Sequence, residues 1–234
     1  MLIRKITAIS LHKLYGMAVI LFALALTFLS GYVYIVWGSE SKTQAPKAIL
    51  EVEQSVQFDG KSFISDDFSP NLLNQPYTVQ FLLKSEENDA IAQYDRNTPP
   101  MPMSIGPIAV YQISSSEYKI IVRSKSDNEE TSTSIVLSDA NQWKHIALVI
   151  SENTVSFFDN GVLVKEDTGI SPLISPKAII GKGFLERFWK GEIAYAGISV
   201  GEQYEDVFTP PTNVSDLDDS IKWIYLYDGM TSSN

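Results

Sequence analysis

The 234-residue chain has no cysteine. It therefore gains nothing from disulfides, and thiol catalysis, haem-thioether attachment and cysteine metal sites are excluded. Histidine is scarce: His12 and His145 are the only two, with no H-x-H or H-x-x-x-H spacing for a zinc site. Positive charge is also short, with 18 basic against 28 acidic residues and a formal net charge of −10. Nucleic acid needs counterion-displacing positive patches, so it is not an expected partner. Outside the first 40 residues no 11-residue window has convincing amphipathic helical spacing.

What the chain does have, near its start, is a run of 24 residues without a charge, 14–37. At about 1.5 Å rise per residue a helix of that length reaches roughly 36 Å, enough to cross a bilayer with some tilt. Arg4, Lys5 and Lys13 precede it, and all 28 acidic residues follow it. That asymmetry predicts a cytoplasmic N-terminus, 1–13, a membrane anchor, 14–37, in contact with the lipid bilayer, and an external remainder. Tyr32, Tyr34 and Trp37 cluster at the outer end, where rings with a polar handle favour the headgroup level. A cleaved secretory signal is the competing reading, with a cut before Ser39. The run is longer than the usual apolar core of a signal, and Ala23 and Ala25 lie in its middle. Either way the domain is placed outside, at the cell membrane. With only three basic residues removed, the part beyond residue 38 carries a formal charge of −13.

Residues 38–48 are polar, contain Pro46 and read as a short linker. From there to residue 230 the pattern becomes short apolar runs with two-residue alternation, broken about every ten residues by turn formers. Asp59-Gly60 closes the first run, which includes Leu50, Val52, Val56 and Phe58; Glu51 and Glu53 share a face of that expected edge strand. Strands are expected at 77–83, 90–94, 108–113, 118–123, 134–137, 141–150, 155–158, 162–164, 178–180, 192–200 and 221–227. Asp159-Asn160-Gly161 is the clearest hairpin turn. Residues 65–76, 96–107 and 124–131 read as loops, and 203–219 as a long excursion. This is an all-β pattern, an antiparallel β-sandwich. Residues 143–150 are mostly apolar on both alternating faces, so that strand is expected to be covered twice, by the facing sheet and by a loop, either 96–107 or 201–220.

The stretch from Trp143 through His145 and Ala147, then Val155, Phe157, Asn160 and Gly161, resembles the core motif of the concanavalin A-like lectin/glucanase superfamily, in its laminin G-like jelly-roll branch. Phe58 with Gly60, the 77–81 strand, and Gly181 with Gly191 match further pieces in order, over about residues 49–200. The chain departs from the pattern at Leu82, where the family often has Trp, and at Ala194, where an Asp is frequent. The resemblance implies two antiparallel sheets packed face to face and gives Phe58, Gly60, Trp143, His145, Asn160, Gly161, Gly181 and Gly191 a structural role. It does not imply an activity, because this fold hosts lectins, adhesion modules, glycosidases and spacers.

Glycosidases of this fold carry paired carboxylates, commonly as E-x-D-x-x-E, since one acid protonates the leaving group while another attacks or activates water. No such run exists here, and no enzymatic activity is expected. His145 has no candidate partners for catalysis and reads as a packed strand residue. No cofactor is called for, but calcium needs only several oxygens, and the acidic loops at Asp66, Asp67, Asp95, Asp216, Asp218 and Asp219 are the candidates. Met101, Met103 and Ile105 in the proline-rich loop form a candidate docking surface for a protein, or fold back over the sheet. Asn213-Val214-Ser215 fits a glycosylation acceptor.

The sequence thus describes a membrane-anchored, non-catalytic recognition domain for a glycan or a surface protein. The alternative is a structural accessory subunit of a larger membrane or envelope complex, its sandwich serving as scaffold, which the short linker would suit. Either predicts that protease added outside intact cells digests the C-terminal domain; protection until the cells are lysed would overturn the topology.

Overall fold

The computed structural model describes residues 51–86, 99–126, 129–183, 187–217, 221–226 and 231–233. The expected anchor, the linker, the strand at 90–94, Asp95, Asp218 and Asp219 lie outside the described residues.

Among the described residues fourteen strands, numbered in chain order, form two sheets. The larger contains β1 (Val56–Asp59), β3 (Tyr77–Ser85), β8 (Lys144–Ile150), β9 (Thr154–Asp159), β10 (Val162–Thr168), β12 (Lys190–Val200), β13 (Ile221–Leu226) and β14 (Thr231–Ser233). Its order is β10-β9-β8-β3-β12-β13-β14, with β1 also on β12. The smaller contains β2 (Ile64–Asp67), β4 (Met103–Ile105), β5 (Ile108–Ser114), β6 (Glu117–Ser126), β7 (Glu129–Ser138) and β11 (Lys177–Ile180), in the order β2-β11-β4-β5-β6-β7. Every pairing is antiparallel. The domain is an all-β antiparallel sandwich.

Alternation along each strand sends one set of side chains between the sheets. From the larger sheet come Tyr77, Val79, Phe81 and Leu83 on β3, Ile146, Leu148 and Ile150 on β8, and Ile193, Ala196 and Ile198 on β12. From the smaller come Met103, Ile105, Ile108, Val110, Tyr118, Ile120, Val122 and Ile180. Each large apolar side chain buried this way contributes about 1.5–3 kcal/mol, which stands in for the absent disulfides. On β12 the register with β3 slips between Ile193 and Tyr195. The extra residue places Ala194 and Tyr195 together on the outer face, packed with Leu82, while Ile193 and Ala196 stay inside.

Two devices fix the ends of the sandwich. At one, Trp189 is fully buried, and its indole N–H donates to Ser85 Oγ at 3.1 Å. Ser85 Oγ lies 2.6 Å from the Tyr118 hydroxyl, which donates to the Ala140 carbonyl at 3.2 Å. This chain of donors ties the two sheets without leaving those polar atoms unmet. Phe58 packs against Trp189 with centroids 6.0 Å apart. A Cβ on Gly181 would overlap the Phe58 ring, and one on Gly191 would overlap Trp189 and the Lys84 carbonyl. At the β7/β10 edge, Lys165 Nζ reaches the Ser134 carbonyl at 3.0 Å, Thr133 Oγ1 at 3.1 Å and the Asp167 carboxylate at 2.6 Å, and Thr133 also donates to Asp167. Edge groups of one sheet are thus capped by a side chain of the other.

Several expectations need correction. Met101, Met103 and Ile105 are not a surface loop: Met103–Ile105 is strand β4, and all three side chains are at most 1% exposed. The prolines flank β4, where a missing N–H costs the ladder little. Residues 124–131 include the ends of a long hairpin, β6 on β7, paired through Ser126 and Glu129. Serine and charged residues disguised it, because its strands extend beyond the core. Asp66 and Asp67 lie on strand β2, paired with Ala178 and Lys177, not in a loop. Glu51 and Glu53 precede β1 and belong to no strand.

Gly191→Ala should cost about 2–3 kcal/mol through overpacking against Trp189, read as a lower denaturant midpoint. An unchanged midpoint would show that the tight crossing is not needed.

Candidate functional site

A two-sheet sandwich can bind on an outer face or at a rim. The outer face of the larger sheet is occupied by its own chain. Residues 201–217 run across β3, β8, β9 and β12 as a strap, with one short 3₁₀ turn at Val214–Asp216. Beneath it lie Thr78, Gln80, Ala147, Val149, Phe158, Tyr195 and Ser199, each at most 5% exposed.

The strap is pinned at five places, one of them the Tyr204 hydroxyl on Gln80 Oε1 at 2.7 Å. Gly201 N–H donates to the Pro76 carbonyl at 2.7 Å. Gln203 N–H donates to Thr78 Oγ1 at 3.0 Å, and Thr78 donates to the Gly201 carbonyl at 3.0 Å. Phe208 N–H donates to the Gly161 carbonyl at 2.9 Å, and the Tyr195 hydroxyl donates to the Pro211 carbonyl at 2.9 Å. Between the pins, Tyr204 and Phe208 stack in parallel, 3.6 Å apart, and pack on Phe158. The Asn160-Gly161 turn has φ of 49° and 79°, which glycine accepts freely. Gly161 has a second reason to be glycine: a Cβ there would overlap the Phe208 carbonyl. Asn160 also fixes β8, its Oδ1 accepting from His145 N–H and its own N–H donating to the His145 carbonyl.

His145 sits at the centre of the covered face, 0% exposed. Its Nε2 is 3.3 Å from Gln80 Oε1, which also accepts from the Tyr204 hydroxyl at 2.7 Å. Nδ1 is buried with no hydrogen-bond partner. The sequence predicts a partly buried ring beside Trp143, hydrogen-bonded to backbone; here the ring is fully enclosed and meets a side chain instead. Burial pushes its pKa down to about 3. A neutral, enclosed imidazole without a reacting partner is structural.

At one rim a cleft of about 280 Å³ is open. Leu73, Asn74, Gln75, Pro76 and Tyr77 enter from the connection before β3, Ile150, Ser151 and Glu152 from the β8–β9 turn, and 171–174 from the β10–β11 connection. In that last connection Pro172 makes an isolated antiparallel bridge with Ser124, and Leu173 N–H anchors it on the Arg123 carbonyl at 3.0 Å. Leu73, Pro76, Ile150, Pro172, Leu173 and Ile174 supply apolar wall, with Ile174 59% exposed. Asn74, Gln75, Ser151 and Ser171 supply hydrogen-bonding groups. Glu152 is the one carboxylate of the lining among the described residues. Burial holds the Tyr77 phenol well above its ordinary range, so it remains neutral. None of these residues stood out in the sequence as a site. The turn formers at 74–76 and 171–172 marked loops, but which loops meet at a rim depends on strand order.

Of the calcium candidates, Asp66, Asp67 and Asp216 are among the described residues and do not converge. Asp66 and Asp67 lie in the smaller sheet, while Asp216 lies in the strap over the larger one and accepts from Asn213 N–H and Ser215 Oγ. Among the described residues no group of three carboxylates or imidazoles is placed to hold a metal. Glu53 and Asn213 line a smaller recess of about 120 Å³ with Gln54, Ala194, Thr212 and Ser215.

A family model described as the Concanavalin A-like lectin/glucanases superfamily matches residues 58–199. No curated protein matches the chain. Solved structures similar to it include the botulinum neurotoxin serotype D binding domain, at 12% identity over 63% of this chain and 39% of that one, with TM-score 0.48. Mouse laminin alpha1 chain domains LG4-5 are similar at 9% identity over 70% and 47%, with TM-score 0.45. The Ruminococcus gnavus IT-sialidase CBM40 bound to alpha2,3 sialyllactose is similar at 13% identity over 69% and 95%, with TM-score 0.46. The chain spans about two fifths of the first of these and about half of the second. The strap follows the last matched residue.

Between pH 6.5 and 3 the unfolded chain takes up a proton at His145 that the folded chain does not, so stability falls as pH falls through that window. At pH 4.5 the loss relative to pH 7 should be about 2–3 kcal/mol, measured by urea unfolding at both values. His145→Gln should flatten the slope; an equally steep slope in the variant would assign it elsewhere, to acids such as Asp59, Glu86 or Asp167, whose pKa values are lowered by their hydrogen bonds.

Proposed function

The chain belongs to the concanavalin A-like lectin/glucanases superfamily, and from that membership we propose that it is a non-catalytic binding module, held outside a membrane by residues 14–37, that recognises a surface ligand at its rim cleft. The open cleft carries this reading, since the neighbouring outer face is filled by the strap. A concave apolar lining with a few hydrogen-bonding groups suits recognition. Hydrolysis needs two acids in separate roles, and the lining offers Glu152 alone among the described residues.

The lining favours a protein over a glycan as ligand. Its one aromatic residue, Tyr77, is 2% exposed and belongs to the core, so no ring face is offered for stacking on a sugar. Leucine, isoleucine and proline walls instead fit an apolar side chain of a partner. The cleft holds one or two residues, so binding through it alone should be weak and reversible.

Cross-linking on intact cells followed by purification should recover a surface protein joined near 171–174. Ile174→Asp and Leu173→Asp should reduce that recovery at least tenfold, with Ile174→Asp leaving the melting temperature unchanged. Binding on a glycan array, with or without calcium, that these substitutions abolish would replace the protein ligand by a sugar. Recovery unaffected by either substitution would remove the cleft from the reading.

A further inference from the structure

The strap's contacts differ in kind from those of a sheet. Among the described hydrogen bonds, residues 201–211 meet the strands through isolated pins at Pro76, Thr78, Gln80, Gly161 and Tyr195. No ladder joins them, and Val207 between the pins is 68% exposed. Segments held in this way open at lower cost than the strands they cover. Under this cover the sheet presents a polar side chain with an unmet atom: His145, fully buried, with Nδ1 unpartnered. Ser199 Oγ is buried without a partner on the same face. The closed strap therefore leaves polar groups that water would satisfy if it lifted.

We propose that residues 201–217 form an acid-released strap, which lies closed over β3, β8, β9 and β12 while His145 is neutral and lifts when the imidazole takes up a proton. The ring's contacts among the described residues are Gln80 on β3, Tyr195 on β12, and Tyr204 and Phe208 on the strap. The titratable groups facing it are thus two phenols, which are neutral in the relevant range; Asp216 is felt at Tyr195. The strap's own Glu202, Glu205 and Asp206 are exposed. No carboxylate is positioned in those contacts to compensate an imidazolium, and burial opposes the charge. Two groups already share Gln80 Oε1, so a second N–H at Nδ1 finds no acceptor. Lifting the strap hydrates the ring and restores an ordinary pKa. It costs the strap's pins and the packing of Tyr204 and Phe208 on Phe158, Ala147 and Val149, whereas protonation without lifting would have to be borne by the whole sandwich. Opening uncovers Gln80, Tyr195 and Phe158, an amide and two rings on one face, in a pH-dependent way.

Amide hydrogen exchange on the full chain between pH 7 and 4.5, corrected for intrinsic rates, tests this. Protection at Gly201, Gln203 and Phe208 should fall about tenfold per pH unit below 6.5 while staying at least about tenfold below that of the β3 and β6 amides, which follow global stability. His145→Gln should abolish the slope. Tyr204→Phe, which keeps the imidazole and removes one pin, should lower strap protection by a constant factor while the slope persists. If His145→Gln fails to fold, the wild-type imidazole Hε1 shift decides, because it must turn over together with strap protection. Flat strap protection, strap protection equal to that of β3 and β6, or an unchanged slope in His145→Gln would each overturn the proposal.

Discussion

Burial on both faces of the central strands is the constraint that shapes this domain. Strands β3 and β8 send aliphatic and aromatic side chains into the sandwich, yet their outer faces carry Ala147, Val149, Leu82, Gln80 and His145, which cannot be left to water as a set. A two-layer sandwich satisfies one face only. The second is met by a third, irregular layer, the strap, whose backbone finds partners in Thr78, Gly161 and Pro76 instead of a ladder. The polar residues on that face follow from this. They are the sheet's contribution to satisfying a segment that has no strand neighbour.

The same constraint explains why the recurring glycines are where they are. Gly161 supplies the turn that returns β9 to β10, and its missing side chain is also the gap through which the Phe208 carbonyl passes. Gly181 and Gly191 admit Phe58 and Trp189 at the opposite task, closing the interior. Each is a place where two segments distant in sequence meet at van der Waals contact. Short apolar strands without disulfides depend on such crossings to fix one packing out of many.

Much of this was legible from the chain alone. Alternation gave the all-β class and most of the strands. The two apolar faces of 143–150 called for a second cover, and of the two candidate segments the second supplies it through its described residues 201–217, while the first contributes strand β4 to the interior. The Asn160-Gly161 hairpin and a structural His145 were visible because turn chemistry and the want of catalytic partners are local facts. Three things were not. The β6–β7 hairpin runs beyond the core on serine, threonine and charge, so its pattern resembles a loop. Trp189 is the largest fully buried side chain among the described residues, yet one aromatic in a short run says nothing about depth. The rim cleft is assembled from three segments, 73–77, 150–152 and 171–174, far apart in the chain, and only the order of strands brings them together.

The strap begins where the family's matching residues stop, at 199. A fragment trimmed to that boundary would retain nearly every strand of both sheets and every motif residue, and would look complete by resemblance. It would nevertheless strip the cover from Phe158, Ala147 and Val149 and expose a greasy stripe down the middle of the larger sheet. The layered unit of this protein thus extends past the recognisable domain, and the missing layer, not a faulty fold, is what the shorter piece would lack.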